Sequence, residues 1–313
     1  LWWPWSLGDQ PRYEVSVAVL LEDDPVEAGD PVVVDGRRPS DRVVVRTGLR
    51  RVHARQWIWS INGERLFLKG AVQGPSAMRL AEASDDDLRR DVDLAVDTGL
   101  DLLRLHAHVS RPALYDAADE AGLLLWQDLP LQWGYARSVK AAARRQAGEA
   151  VDLLGHHPSI VAWCGHEEPF AIDVTPDAVA DPQQRRRLTR QAVVRTALPT
   201  WNRSILDRAV TKVLERDDGS RPVVPHSGVL PHPPQLSGTD AHLWFGWYVG
   251  GYRDLERALA RWPRLARFVT GVGAQAVPDD ADFLHPERWP ALDADDARRH
   301  HALQLEVLDR FVP

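Results

Sequence analysis

His157-Pro158-Ser159-Ile160-Val161-Ala162-Trp163-Cys164-Gly165-His166-Glu167-Glu168-Pro169-Phe170 is the stretch on which the reading of the whole chain turns. Ile160 to Cys164 is a short apolar run held between Pro158 and Gly165, the pattern of a strand buried on both faces, and two adjacent carboxylates follow it. Strands of that kind belong to parallel sheets covered by helices. In a parallel α/β barrel the carboxyl ends of the strands open on one mouth, so an acid just past such a strand stands where chemistry is done.

Working outward, the chain after Lys69 alternates strand and helix. Ser84 caps a predicted helix whose first turn, Asp85-Asp86-Asp87, suits the positive end of the macrodipole, with Leu88, Val92, Ala95 and Val96 as its apolar stripe. A strand over Leu102–Leu105 ends at His106-Ala107-His108; Pro112 opens and Gly122 closes the next helix, and Leu123–Trp126 is the next strand. A helix of about Val139–Leu154 leads to the strand at Ile160. Beyond it come a polar insertion around Val174–Leu198, a helix from Trp201 to Leu214, and strands at Pro222–Pro225, His242–Phe245 and Arg267–Thr270. With Leu66–Ala71 as the first, the strands suit a (β/α)₈ TIM barrel whose eighth strand is expected beyond Pro313, because only a helix, roughly Asp293–Phe311, follows the last of them.

Before Lys69 the pattern is different. Tyr13 to Leu20 alternates, with Tyr13, Val15, Val17 and Val19 on one face, and Val32–Val34 and Val43–Val45 read as further antiparallel strands, with polar turns at Glu22–Pro25 and Asp35-Gly36. So few short strands do not make a sandwich, and the rest of a β domain is expected upstream. Asn62-Gly63, between Trp57–Ser60 and Arg65–Leu68, is a hairpin turn by composition.

Composition narrows the function classes. With 313 residues, 44% of them hydrophobic and 27% charged, the chain can bury a large core. No run of eighteen apolar residues occurs, so no membrane is expected as a partner. A net charge of −7 with scattered basic residues forms no stripe for a phosphate backbone, so no nucleic acid is expected either. Cys164 is the single cysteine, which excludes an internal disulfide and a cysteine zinc site and leaves the compartment open, the cytoplasm being favoured. The opening Leu1-Trp2-Trp3-Pro4-Trp5 has neither the charged nor the apolar region of a signal peptide. Tryptophan, at 13, is the outlying count, and its rigid face suits sugar rings as well as cores.

The groups at or just past the predicted strand ends are Gln73; Arg104, His106 and His108; Gln127 and Asp128; His166, Glu167 and Glu168; His226; His242, Trp244 and Trp247; and Gln275. Hydrogen-bonding and flat aromatic side chains gathered at one mouth describe a wet cleft that fits a carbohydrate and needs no cofactor.

Five segments sharpen this: Arg46-Thr47-Gly48-Leu49-Arg50, Ile61 to Gly70, Gly122-Leu123-Leu124-Leu125-Trp126-Gln127-Asp128, His157 to Gly165, and Asp240-Ala241-His242-Leu243-Trp244. In this order they resemble successive landmarks of glycoside hydrolase family 2, most closely its β-mannosidase and β-glucuronidase branches. The resemblance implies the tail of an immunoglobulin-like β-sandwich over residues 1–57, a TIM barrel over 58–313 that is incomplete at its C-terminal end, flanking domains of the same polypeptide, and a β-glycoside as substrate. It also implies a retaining mechanism with two carboxyl groups about 5–5.5 Å apart. Glu168 falls at the acid/base position, Glu167 stands where the family has an asparagine, and the nucleophile's position is Gly271. Arg104, His106, His108, Asp128, Trp133, Trp163, His166, Glu167, His226, His242, Trp244, Trp247 and Gln275 are then the expected substrate-binding residues. Glycine cannot attack, so impaired turnover is expected, together with a small cavity beside Gly271 that an added anion such as formate could enter; Asp128 and Asp240 are the candidates for a substitute carboxylate.

Two other classes compete. One is a carbohydrate-binding protein on a glycosidase barrel, which Gly271 favours. The other is a metal-dependent hydrolase built on two imidazoles of one strand face, His106 and His108, with His226, His242 and Asp128. No basic residue near Lys69 is poised to bridge metals and the same histidines suit hydroxyl groups, so no metal is expected.

Overall fold

In the computed structural model the described residues are 1–20, 39–77, 79–170, 198–229, 240–244 and 252–272, with scattered positions between 183 and 195. The expected strand Val32–Val34, both turns beside it and the helix Asp293–Phe311 lie outside them.

Strands β1 (Tyr13–Leu20) and β2 (Pro39–Thr47) pair antiparallel, Val15 opposite Val45 and Val17 opposite Val43. The alternation places the ladder correctly, yet Tyr13, Val15, Val17 and Val19 are exposed in a two-stranded ribbon rather than turned into a core. Next come β3 (Val52–Arg55), β4 (Ile58–Ile61) and β5 (Glu64–Leu66), an antiparallel sheet. Asn62 and Gly63, at φ 52° and 96°, supply the two left-handed residues that a two-residue hairpin loop between Ile61 and Glu64 demands.

The boundary expected between residues 57 and 58 falls inside this sheet, since β3 precedes it and β4 follows. Residues before it are also sewn to later ones. The Trp2 indole, fully buried, donates to the Asp119 carbonyl at 2.9 Å, Thr47 Oγ1 donates to the His156 carbonyl at 2.6 Å, and the Arg50 guanidinium donates to the carbonyls of Pro158 and Ile160 at 2.7 Å each.

The first parallel strand is β6 (Gly70–Gln73), not Leu66–Ala71. Leu66 ends the hairpin and Phe67 is 86% exposed, so the apolar run that suggests a strand straddles a corner of the chain. Gly70 then meets Leu102, where a Cβ would lie 2.8 Å from the Leu102 carbonyl oxygen. Helix α1 (Asp85–Asp97) begins with a full capping box between Ser84 and Asp87 and buries Leu88, Val92 and Ala95. After β7 (Leu102–Leu105), helix α2 (Pro112–Ala121) has proline in its first turn and ends on Gly122 at φ 74°. Strand β8 (Leu124–Asp128), helix α3 (Lys140–Leu154), strand β9 (Ile160–Cys164), a π-helical turn Asn202–Leu206 running into helix α4 (Asp207–Asp217), and strand β10 (Val223–Val224) follow.

The sheet runs in the order β10-β9-β8-β7-β6, so chain order and spatial order agree, and β6–β7 and β7–β8 are parallel. A five-stranded parallel sheet with sequential neighbours and helical crossovers is consistent with part of a barrel. Strand β11 (Ala241–Leu243), helix α5 (Tyr252–Arg261) and strand β12 (Val269–Val272) follow, β11 and β12 pairing parallel with His242 opposite Gly271. The last strand is therefore shifted from the expected Arg267–Thr270, and Gly271 lies within it rather than beyond its end.

The chain divides into two compact units: Leu1–Leu129, Arg145–Trp163 and Val213–Val223 in one, Pro130–Arg144, Cys164–Lys212 and Val224–Pro313 in the other. Leu105, Leu114, Tyr115, Leu124 and Trp126 are buried in the first, Cys164, Leu206 and Val210 in the second. Among the described residues no helix is long and apolar enough to cross a membrane.

Candidate functional site

In the second unit the backbone past β9 is fixed before any side chain is considered. Gly165 is required where a Cβ would come 2.9 Å from the Pro225 carbonyl oxygen. The Glu167 amide donates to the Leu131 carbonyl at 2.8 Å, the Trp133 amide donates to the Glu167 carbonyl at 3.0 Å, and the Ser227 amide donates to the His166 carbonyl at 3.0 Å. Glu168 donates its own amide to the Ser227 carbonyl at 3.2 Å and sits at φ 40°, a left-handed conformation unusual for a residue with a side chain.

That conformation aims the Glu168 side chain at β11. Its Oε1 accepts from Trp244 Nε1 at 2.9 Å and meets His242 Nδ1 at 2.7 Å, while Glu167, buried, holds Oε1 3.8 Å from the same nitrogen. The side of the ring carrying Nε2 faces Ser227 Oγ at 3.2 Å and Asp240 Oδ2 at 3.9 Å, and Asp240 Oδ2 accepts from the hydroxyls of both Ser227 and Thr270.

Two glycines make the slot for this imidazole. A Cβ on Gly228 would collide with His242 Nδ1, and one on Gly271 would lie 2.9 Å from both His242 Cδ2 and Trp244 Cζ2. Gly228, at φ 78°, is favoured by its backbone as well. Where a cavity is expected beside Gly271, the His242 and Trp244 rings stand against the position that its Cβ would take. Asp240 is likewise committed to its two hydroxyl donors rather than held ready as a substitute carboxylate.

A second polar cluster in this unit is closed to solvent. Asp207, at the start of α4, meets His166 Nδ1 with one oxygen and His226 Nδ1 with the other, both at 2.7 Å, and His166 Nε2 lies 2.7 Å from the Trp133 carbonyl oxygen. All three side chains are buried, so His166 and His226, expected to touch substrate, are struts that tie the ends of β9 and β10 to α4. The Trp133 indole, in contrast, is 55% exposed on a backbone at φ 64°.

In the first unit Arg104 and Asp128 form a buried pair, Nε lying 2.9 Å from Oδ2, with Trp126 Nε1 donating to Oδ1 at 2.9 Å. Asp128 is saturated by these donors, which removes it as a substitute nucleophile. His106 and His108 do not share a strand face: β7 stops at Leu105, Ala107 turns at φ 50°, and His108 Nδ1 faces the His106 carbonyl at 3.0 Å. Gln127 is framework, accepting from Tyr115 Oη and donating to the His108 carbonyl, each at 2.7 Å. Burial pushes the Tyr115 hydroxyl above its ordinary pKa. Trp163, expected as a stacking platform, is fully buried, its indole donating to Asp218 at 2.8 Å with the Arg221 guanidinium over its ring. Burial pushes the Asp218 carboxyl up, but Arg221, the Ser220 hydroxyl and amide and the Trp163 indole outweigh it and hold it below the usual range.

Among the described residues two groups have carboxylates and imidazoles close enough for a metal ion: Asp116, Asp119 and His157, and Glu167, Glu168 and His242. In each, an imidazole nitrogen and a carboxylate oxygen are engaged with one another at 2.7 Å, so neither is read as a metal site, and neither contains His106, His108 or His226. Trp247 and Gln275 lie outside the described residues. Sequence reasoning missed Asp207, Ser227, Gly228 and Thr270. The nearest signal was Ser227-Gly228 directly after His226, a polar residue and a glycine past a strand end.

No protein-family profile matches the chain. It is 25% identical over 265 residues to β-mannosidase B of Aspergillus clavatus, covering 79% of this chain and 29% of that protein. It is 27% identical over 297 residues to β-mannosidase B of Thermothelomyces thermophilus, covering 89% and 32%. The chain therefore spans about a third of the length of these curated relatives. Among solved structures, the β-D-mannosidase of Dictyoglomus thermophilum superposes with a TM-score of 0.62 at 23% identity, covering 91% of this chain and 32% of that one.

Proposed function

We propose, from the premise that this chain is a glycosidase relative of the glycoside hydrolase family 2 type, that its second unit is a β-glycoside site in which the acid/base is present and the retaining nucleophile is not. Glu168 protonates the leaving oxygen, and Trp133 and Trp244 offer flat faces to the sugar ring. Removing a nucleophile from a catalytic unit costs on the order of a million-fold in kcat in a well-studied hydrolase. Sugar binding therefore survives where turnover does not. The exposed β1–β2 ribbon is read, on the same resemblance, as an edge of the immunoglobulin-like sandwich.

The observation that carries this reading is at Gly271, which pairs in register with His242 and leaves no room for a side chain beside that ring. The relatives' names put β-mannosides first among the sugars to try. Full-length polypeptide is to be assayed on p-nitrophenyl β-mannoside, β-glucoside, β-galactoside and β-glucuronide, with calorimetric titration of the same glycosides. Saturable binding of at least one, with release of nitrophenol near background, is expected. Turnover at ordinary enzyme rates overturns the impairment, and no binding of any of them overturns the sugar site.

A further inference from the structure

The geometry points to a stored proton: we infer that His242 and Glu168 hold one proton between them in the resting site, and that Asp240 keeps it there through Ser227. This rests on the reading of Glu168 as the acid.

The hydrogens follow from the donor and acceptor inventory. Ser227 has one hydroxyl hydrogen, and Asp240 Oδ2 accepts it. Toward the imidazole, Ser227 Oγ is then left only as an acceptor, so Nε2, at 3.2 Å, must carry a hydrogen. Thr270 donates to the same Asp240 oxygen, which holds that carboxylate as an anion 3.9 Å from Nε2. At the other end Nδ1 is 2.7 Å from Glu168 Oε1, a distance at which an unprotonated nitrogen and a carboxylate repel. One proton therefore lies between them, written either as an imidazolium beside a carboxylate or as a neutral ring beside a carboxylic acid. Among the described residues the titratable groups facing the ring are Glu167 and Glu168 from the end of β9 and Asp240 from the start of its own strand. All three are acids. Gly228 and Gly271 leave open the space that the ring occupies between these contacts.

Ser227, His242 and Glu168 also stand in the order of a serine hydrolase triad. Ser227 is fully buried and gives its hydrogen to Asp240 rather than to the imidazole, which argues against a nucleophile. Asp240 and Ser227 are thus positioning residues acting through His242.

The test is two-bond ¹H–¹⁵N correlation spectroscopy across a pH series on full-length protein with ¹⁵N-labelled histidine, the His242 signals being assigned by their loss in His242→Gln. In the wild type Nε2 is expected to carry a hydrogen, as the Ser227 contact requires. In Asp240→Asn, whose amide nitrogen can donate to Ser227, the hydroxyl hydrogen is freed toward the imidazole and the Nε2–H signature should fall. Ser227→Ala, which leaves the charge in place, should shift the neutral ring toward the Nδ1–H tautomer. A bare Nε2 in the wild type, or an unchanged tautomer in both variants, overturns the proposal. Because no sugar enters the measurement, glycoside binding with a bare Nε2 sinks the stored proton alone, and the expected spectra without any glycoside binding sink the sugar reading alone.

Discussion

Asp207 and Glu168 belong to the same unit, and each meets an imidazole at 2.7 Å, yet they are different kinds of carboxylate. Asp207 is 1% exposed and spends its two oxygens on two histidines. The Glu168 side chain is 18% exposed, gathers His242 and Trp244 on one oxygen, and sits on a strained backbone. Asp128 in the first unit is of the Asp207 kind, enclosed and saturated by Arg104 and Trp126. Burial with every acceptor filled marks a carboxylate of the frame; partial exposure with a directed partner marks one available to chemistry.

The sharpest way to break this contrast is mutation of the two acids. Asp207→Ala strands two buried imidazoles and should cost about 3–5 kcal/mol in urea unfolding, whereas Glu168→Gln should stay within about 1 kcal/mol. Equal losses would erase the distinction. The tryptophans provide the next test: Trp163→Ala should cost about 3–5 kcal/mol as a filled core site and leave Asp218 without its indole donor. Trp133→Ala should cost no more than about 1 kcal/mol while weakening glycoside binding.

Gly271 gives a smaller effect with a clear signature. Gly271→Ala overpacks the His242 slot and should cost about 1–3 kcal/mol. In a His242→Ala background most of that cost should vanish, so a double-mutant cycle on thermal or urea melts reads the coupling directly. Additive losses would mean that the ring is not what the glycine accommodates. By the same reasoning Gly271→Glu alone is not expected to restore turnover, because the new carboxylate must first displace two rings.

The smallest expected effect is at Asp218. Its folded-state pKa is depressed, so its contribution to stability is present above the ordinary value of 3.8 and is lost as pH falls through the folded value. The stability gap between wild type and Asp218→Asn should therefore stay level down to about pH 5 and narrow as the pH falls further, through and below 3.8. A gap that widens on acidification would contradict the bond network drawn around Trp163.

Much of the fold was open to reading because local physics dominates it. Ser84 with Asp87, Pro112 with Gly122, and Asn62-Gly63 each act within a few residues, and each produced the predicted cap or turn. The two carboxylates beyond a doubly buried strand were legible as well. The errors at the first and last parallel strands came from apolar runs that cross a corner, where composition is the same on either side of the bend. Trp163 was misassigned because a strand buried on both faces carries no alternation to say which side chain points toward a cleft.

The sequence by itself determined the alternation of strands and helices, the chain order of the sheet, the carboxylate past β9 and the absence of one at 271, since these depend on residue type and short spacing. Only the tertiary structure decided what stands beside Gly271. His242 stands there, admitted by Gly228 and Gly271, residues 14 and 29 positions away from it, and its partners Glu168 and Ser227 are 74 and 15 positions away. Contacts at such separations are set by strand register and crossover geometry, which no local pattern of residues encodes.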